Sequence, residues 1–210
     1  MRKPGRPDVL LFDIGGVLID FDWQRMFTAW EPISRLDREG LARTFGFDLA
    51  YEQHERGEIT AEAYFDHLGA MLQLQGDRAR IAEGWNNIFL GEIGETMTML
   101  QAVRGQIPCY AFTNTNRAHY EAWAAMFPDV LQSFERIFTS FETACRKPEP
   151  RVFEYVARTL EVSPDAIMFF DDAIENVQAA SSAGLSAVHV RSPADVRDAL
   201  LAIGCRLPEL

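Results

Sequence analysis

Short continuous apolar runs alternate along this chain with segments of helical period, and the runs end on polar residues. Val9-Leu10-Leu11-Phe12 has the pattern of a strand covered on both faces, and it closes on Asp13 and then on the turn formers Gly15-Gly16. Pro108-Cys109-Tyr110-Ala111-Phe112 runs into Thr113-Asn114, and Ala166-Ile167-Met168-Phe169-Phe170 runs into Asp171-Asp172. Beyond Asp172 the pattern predicts a helix over residues 175–183 ended by Gly184, a strand over 186–190 and a helix over 194–203. Further back it predicts helices over 117–126 and 151–160 and a short strand over 136–139. Strands alternating with helices imply an α/β fold, a Rossmann-like parallel sheet with helices on both faces.

Between Asp13 and Thr113 lie 99 residues, far more than a single crossover helix needs. The excess reads as a small α-helical cap inserted after the first strand. Trp23, Met26, Phe27 and Trp30 share a helical spacing, as do Tyr64, Phe65, Leu68, Met71 and Leu72, and both stripes are expected to form core. The resulting division is a core over residues 1–20 and 92–210 and a cap over 21–91. Connections are expected near residues 19–22 and 90–94, where Gly91 and Gly94 offer hinge freedom.

Composition narrows the class. With 48% hydrophobic and 24% charged residues the chain is expected to be globular, and a net charge of -11 with no basic patch argues against a nucleic-acid partner. The basic start, residues 1–7, is expected to be a disordered tail, and the apolar run after it is too short for a signal peptide or a membrane span. No membrane partner is expected. Cys109, Cys145 and Cys205 lack metal-ligand spacing and read as reduced thiols, so a cytoplasmic location is expected.

The polar run ends carry the chemistry. A carboxylate at the end of a buried strand needs a cationic partner, which makes Asp13 a candidate nucleophile. Thr113 and Asn114 are donors suited to phosphate oxygens, and Lys147, in Arg146-Lys147-Pro148-Glu149-Pro150, is placed to neutralise an anion. Adjacent Asp171 and Asp172 repel unless a cation lies between them, and Mg2+ suits hard oxygen ligands. In an open parallel sheet, ligands bind outside the carboxyl ends of the strands, where these groups converge.

In this order, Asp13, Thr113, Lys147 and Asp171-Asp172 resemble the motifs of the haloacid dehalogenase superfamily over nearly the whole chain. His54-Glu55-Arg56-Gly57-Glu58-Ile59, Thr113-Asn114-Thr115-Asn116-Arg117, Arg146-Lys147-Pro148-Glu149 and Phe169-Phe170-Asp171-Asp172 look like the bacterial alpha-D-glucose-1-phosphate phosphatase branch. The amino-terminal phosphatase domain of soluble epoxide hydrolases is similar in its motifs. The resemblance implies about five core strands, a cap of the same kind, and a Mg2+-dependent phosphomonoester hydrolase with an aspartyl-phosphate on Asp13. It places the metal between Asp13, the Gly15 carbonyl and Asp172, with Asp171 acting on a metal-bound water or as an outer ligand. Thr113, Asn114 and Lys147 would hold the phosphate, and Asn176 would support the loop.

One departure stands out: phosphatases of this superfamily usually carry a second aspartate two residues after the nucleophile, where this chain has Gly15. General acid–base help is typically worth about 10²–10⁴-fold. A sugar phosphate such as glucose 1-phosphate eases that loss, because an anomeric hydroxyl is more acidic than an ordinary alcohol. Asp22 or His54 would then be the substitute base, and His54 and Arg56 the candidates for cap specificity. The expected partner is a small phosphorylated metabolite, with the chain a monomer or a homodimer. The alternatives are a 2-haloacid dehalogenase-like hydrolase, which does not need the acidic pair, and a low-turnover regulatory protein that binds a phosphorylated metabolite. His67, His119 and His189 are expected to be structural.

Overall fold

The computed structural model describes residues 6–208. Its strands are β1 (Val9–Phe12), β2 (Ile19–Phe21), β3 (Phe89–Glu92), β4 (Cys109–Thr113), β5 (Arg136–Thr139), β6 (Ile167–Asp171) and β7 (Ser186–His189). Five of them form one parallel sheet in the order β5-β4-β1-β6-β7, which puts β1 at the centre and buries all of it. Alternate side chains of β1 feed two cores, as the pleat requires. Leu10 and Phe12 pack with Met97, Leu100, Val196 and Leu200, whereas Val9 and Leu11 pack with Val152, Phe153, Val156 and Ala180. Each fully buried side chain of this size contributes roughly 1.5–3 kcal/mol relative to exposure.

The helices Arg117–Met126, Pro150–Thr159, Ile174–Ser182 and Pro193–Ala202 lie where the periodicity places them or begin one residue earlier. Two of the earlier starts are prolines at the first helical turn, where the fixed φ is already helical. Gly184 follows Ile174–Ser182 at φ +93°, in line with its expected role as a left-handed cap.

Between β2 and β3 the chain forms a separate helical layer. Helices Arg38–Thr44, Leu49–Glu55, Ala61–Met71 and Arg78–Asn86 are each opened by a side chain, Asp37, Asp48, Thr60 or Asp77, that accepts a backbone N–H three residues on. With Gln24–Trp30 they enclose their own core of Met26, Phe27, Trp30, Tyr64, Phe65, Leu68, Leu72, Ile81 and Trp85. Trp30 Nε1 donates to the Ile81 carbonyl at 3.1 Å. Trp30 also lies against Gly84, which leaves no room there for a Cβ.

The junctions differ from the expected loose connections. β2 and β3 pair as an antiparallel ribbon, Ile19 with Glu92, Asp20 with Gly91 and Phe21 with Phe89, with a register shift between Asp20 and Phe21. Gly91 is therefore held in the ribbon, and Gly94 opens the helix Gly94–Val103. Such short strands carry too few residues to show a period of two. Among the described residues no helix is long and apolar enough to cross a membrane. Most of the basic leader, residues 1–5, lies outside the described residues.

Candidate active site

The carboxyl ends of β1, β4 and β6 bring four of the sequence candidates together. Lys147 is buried, and its Nζ reaches Asp13 Oδ2 at 2.9 Å, Asp171 Oδ2 at 2.6 Å and the Phe112 carbonyl at 3.0 Å. The other oxygen of Asp171 accepts from Ala173 N at 2.9 Å and Asn176 Nδ2 at 3.0 Å. Asp171 is thereby fully engaged by the protein, whereas Asp172 is exposed at the cleft. Gly16 makes this possible: at φ +71° it turns the chain after β1, and any Cβ there would collide with the Asp172 carboxylate.

Charge is crowded at this point. Asp13, Asp171 and Asp172 each offer an oxygen, all within 4.8 Å of one another. Burial, reinforced by Asp171 and Asp172 and opposed by Lys147, pushes the Asp13 carboxyl up to about 8. Burial and then the Asp171 charge also raise Asp172. For Lys147, burial lowers the ammonium pKa, but Asp13 and Asp171 outweigh it and hold the group above its usual range. Three clustered carboxylates beside a single ammonium form a hard-oxygen set that fits a divalent cation.

One candidate makes different contacts from those its residue type suggests. Asn114 exchanges both side-chain bonds with Lys147, donating to its carbonyl and accepting from its N–H, each at 2.8 Å. It clamps the lysine loop with the atoms that the sequence reading assigns to phosphate. Thr113 is buried at the cleft with its hydroxyl 3.5 Å from the Asn114 carbonyl, a weak bond that leaves the group available.

The cap candidates lie elsewhere. His54 is buried with its ring stacked on Tyr64 at 4.4 Å, lines a different cavity from Asp13, and is lowered by burial to about 4. Arg56 pairs with Glu149 at 3.0 Å and Glu52 at 2.8 Å, tying the cap to the loop that carries Lys147. Asp22 accepts from Gln24 N at 2.9 Å on the exposed side of the chain. None of the three lines the cleft that contains Asp13. His119 does line it, but as a fixed element: its ring stacks on Trp85 at 4.4 Å, Nε2 lies 3.0 Å from the Trp85 carbonyl and Nδ1 lies 3.2 Å from Asn116 Nδ2. His67 pairs with Asp48, and His189 with the Asp172 carbonyl.

The family model for haloacid dehalogenase-like hydrolases matches residues 7–184. The chain belongs to that family. Among curated relatives of the hydrolase, a sesquiterpene phosphatase of Aspergillus oryzae is 28% identical over 192 residues, covering 86% of this chain and 88% of the relative. A D-ribitol-5-phosphate phosphatase of Bacteroides thetaiotaomicron is 21% identical over 201 residues, covering 92% and 97%. Among solved structures, a family enzyme from Bacteroides thetaiotaomicron in complex with magnesium and inorganic phosphate superposes with a TM-score of 0.78 at 28% identity, covering 87% of this chain and 93% of that one. An L-2-haloacid dehalogenase from Xanthobacter autotrophicus shares the fold, with a TM-score of 0.65 at 19% identity over 95% and 84% of the two chains.

The cleft of this hydrolase has a volume of about 460 Å³, and sequence reasoning missed most of its wall. Trp23, read as core, faces the cleft beside Phe21, Phe47 and Phe89. Phe21 also explains the departure at Gly15: a Cβ there would lie 3.2 Å from Phe21 Cε1, so an aromatic edge occupies the space next to the missing acid. Tyr51, Glu55 and Arg146 form a hydrogen-bonded row, with Tyr51 Oη donating to Glu55 at 2.8 Å and Arg146 Nε donating to Glu55 at 2.9 Å. The two motifs containing Glu55 and Arg146 were visible in the sequence, but their pairing across 91 positions was not.

Proposed function

We propose that this hydrolase is a magnesium-dependent phosphomonoesterase that works through an aspartyl-phosphate on Asp13, with residues 21–91 as a cap over the cleft. The carrying observation is that Lys147 Nζ bridges Asp13 and Asp171 while Asp172 faces the same cleft unburied. Asp13, Asp172 and the Gly15 carbonyl would hold the metal, and Asp171 serves to hold Lys147 and, through Ala173 and Asn176, the loop after β6. When bound, the cation neutralises charge on the phosphate and on the acidic cluster.

An Asp13 oxygen attacks phosphorus, the P–O ester bond breaks and the alcohol leaves with a proton from water. A second water then splits the acyl phosphate, releasing phosphate and restoring Asp13. Dividing the reaction lowers each barrier. Lys147 and Thr113 stabilise the transferring oxygens from fixed positions, the largest contribution expected of a phosphoryl-transfer site. The solved relative with magnesium and phosphate and the two relatives named as phosphatases support this reading.

The substrate class is a small phosphorylated metabolite. A sugar 1-phosphate such as glucose 1-phosphate is favoured by one observation, the absence of an acid at Gly15, which puts a premium on a leaving group that needs little protonation. The two phosphatase relatives span a terpenoid and a polyol phosphate by name. A dehalogenase has no use for Asp172 at the cleft, which weighs against that alternative.

The test is phosphate release from glucose 1-phosphate, glucose 6-phosphate, n-octyl phosphate and an aryl phosphate, with magnesium and with chelator. Release that needs magnesium and is lost in Asp13→Asn supports the proposal. Release that persists in chelator or in Asp13→Asn overturns it, as does a folded wild-type protein that hydrolyses none of the four.

A further inference from the structure

Beyond the phosphate end, one wall of the cleft is built of aromatic and aliphatic carbon. Phe21, Trp23, Phe47, Ile88 and Phe89 line it. Phe47 sits at its mouth, 58% exposed, and extends the aromatic wall out to solvent as one contiguous patch. It is nonetheless held in place, with its ring centroid 4.7 Å from Tyr51, 5.5 Å from Trp23 and 5.6 Å from Phe45.

Several polar groups on the same wall are paired within the protein. Both oxygens of Glu55 are taken, by Tyr51 Oη and Arg146 Nε, and Arg146 Nη1 turns to Glu52 at 3.4 Å. Both ring nitrogens of His119 are satisfied by Asn116 and the Trp85 carbonyl. A polyol drawn in here would exchange water for aromatic carbon, and each hydroxyl buried without a partner is costly. A hydrocarbon meets no such penalty and covers Phe47.

We infer that the alcohol half of the substrate is apolar, so that the site takes a phosphate monoester of a hydrophobic alcohol. The inference rests on the phosphatase reading for the position of the phosphate, and within that reading it sets the aromatic wall against the sugar ester that leaving-group acidity alone favours. The occupant is fixed by continuity: the aromatic wall and the Asp13–Lys147 pair face one cleft, so a single molecule anchored by phosphate must lay its other half on the wall.

Binding to Asp13→Asn in magnesium, measured by calorimetry, separates this inference from catalysis. The probes are inorganic phosphate, n-octyl phosphate below its micellar concentration, and glucose 6-phosphate, another primary alkyl ester. n-Octyl phosphate is expected to bind at least about tenfold tighter than inorganic phosphate, while glucose 6-phosphate gains less than about threefold. Phe47→Ala is expected to cut the octyl advantage by about threefold or more, and Phe47→Leu to keep most of it. An equal or larger gain for glucose 6-phosphate overturns the inference, and so does an octyl advantage untouched by both Phe47→Ala and Trp23→Ala. If wild type releases phosphate from glucose esters in preference to the octyl ester, this inference falls and the phosphatase reading stands. If the octyl preference holds in binding but no ester is hydrolysed, the phosphatase reading falls and the apolar site stands.

Discussion

The two ends of the cleft solve opposite problems. At the carboxyl ends of β1, β4 and β6, ionisable groups are packed into a buried space: Lys147 against Asp13 and Asp171, with Asp172 alongside. On the cap side the ionisable groups, Glu55 and Arg146, neutralise each other and leave aromatic carbon facing inward. The first end carries an excess of acidic oxygens and the second a face of aromatic carbon. On the proposed reading, the contrast separates bond-breaking, which needs unbalanced charge, from selection among alcohols, which would rest on shape and desolvation.

Breaking the charged end is expected to have the largest effects. Asp13→Asn is expected to lower turnover by at least about a thousandfold, as loss of a nucleophile does, while n-octyl phosphate binding persists. Steady-state rates beside calorimetry check both halves. Lys147→Met removes the only ammonium from a buried acidic cluster, and a buried pair broken on one side loses about 3–5 kcal/mol. Urea unfolding should show that loss, and magnesium should recover part of it by supplying the missing positive charge.

Gly15→Asp tests the boundary between the ends. The new side chain meets Phe21, so overpacking is expected to cost about 1–3 kcal/mol. Combined with Phe21→Ala, the same aspartate gains room, and turnover of n-octyl phosphate is expected to rise above that of Phe21→Ala alone. No difference between those two variants would mean that the missing acid has been misplaced.

Acid should act mainly through the buried histidines. Burial lowers His54 from 6.5 to about 4 and His119 from 6.5 to about 3. Between pH 6.5 and about 4 the unfolded chain therefore binds protons at these sites that the folded chain refuses, so their contribution to stability is full above pH 6.5 and falls as pH drops through that window. His54→Phe, which keeps the stack on Tyr64, is expected to flatten the fall, read as unfolding midpoints from pH 7 down. The smallest effect belongs to Arg56→Ala. Its pairs with Glu52 and Glu149 are partly exposed, and the expected loss is about 1 kcal/mol or less.

What was legible in the sequence follows from the range over which each feature is encoded. Asp13, Thr113 and Asp171 end continuous apolar runs, and a local pattern suffices to place them at strand ends. Lys147 lies in a loop with no periodic signal, and only the order of the motifs pointed to it. The expectation for Asn114 had the right place and a different role, because its partner is Lys147, 33 positions on. Trp23 looks like core because one helical stripe contains it, yet its ring contacts include Phe47 and His119, which no spacing rule joins. The β2–β3 ribbon was invisible for the same reason: it pairs residues some seventy positions apart through strands too short to show alternation.

Arg146 and Lys147 are neighbours in the chain, but they answer to different masters. The guanidinium of Arg146 is bonded to Glu52 and Glu55, between β2 and β3, and the ammonium of Lys147 to Asp13 and Asp171. A single peptide unit thus joins the helical layer to the acidic cluster, and on the proposed reading substitutions along the Glu55–Arg146 row are expected to shift KM and kcat together, read from steady-state kinetics.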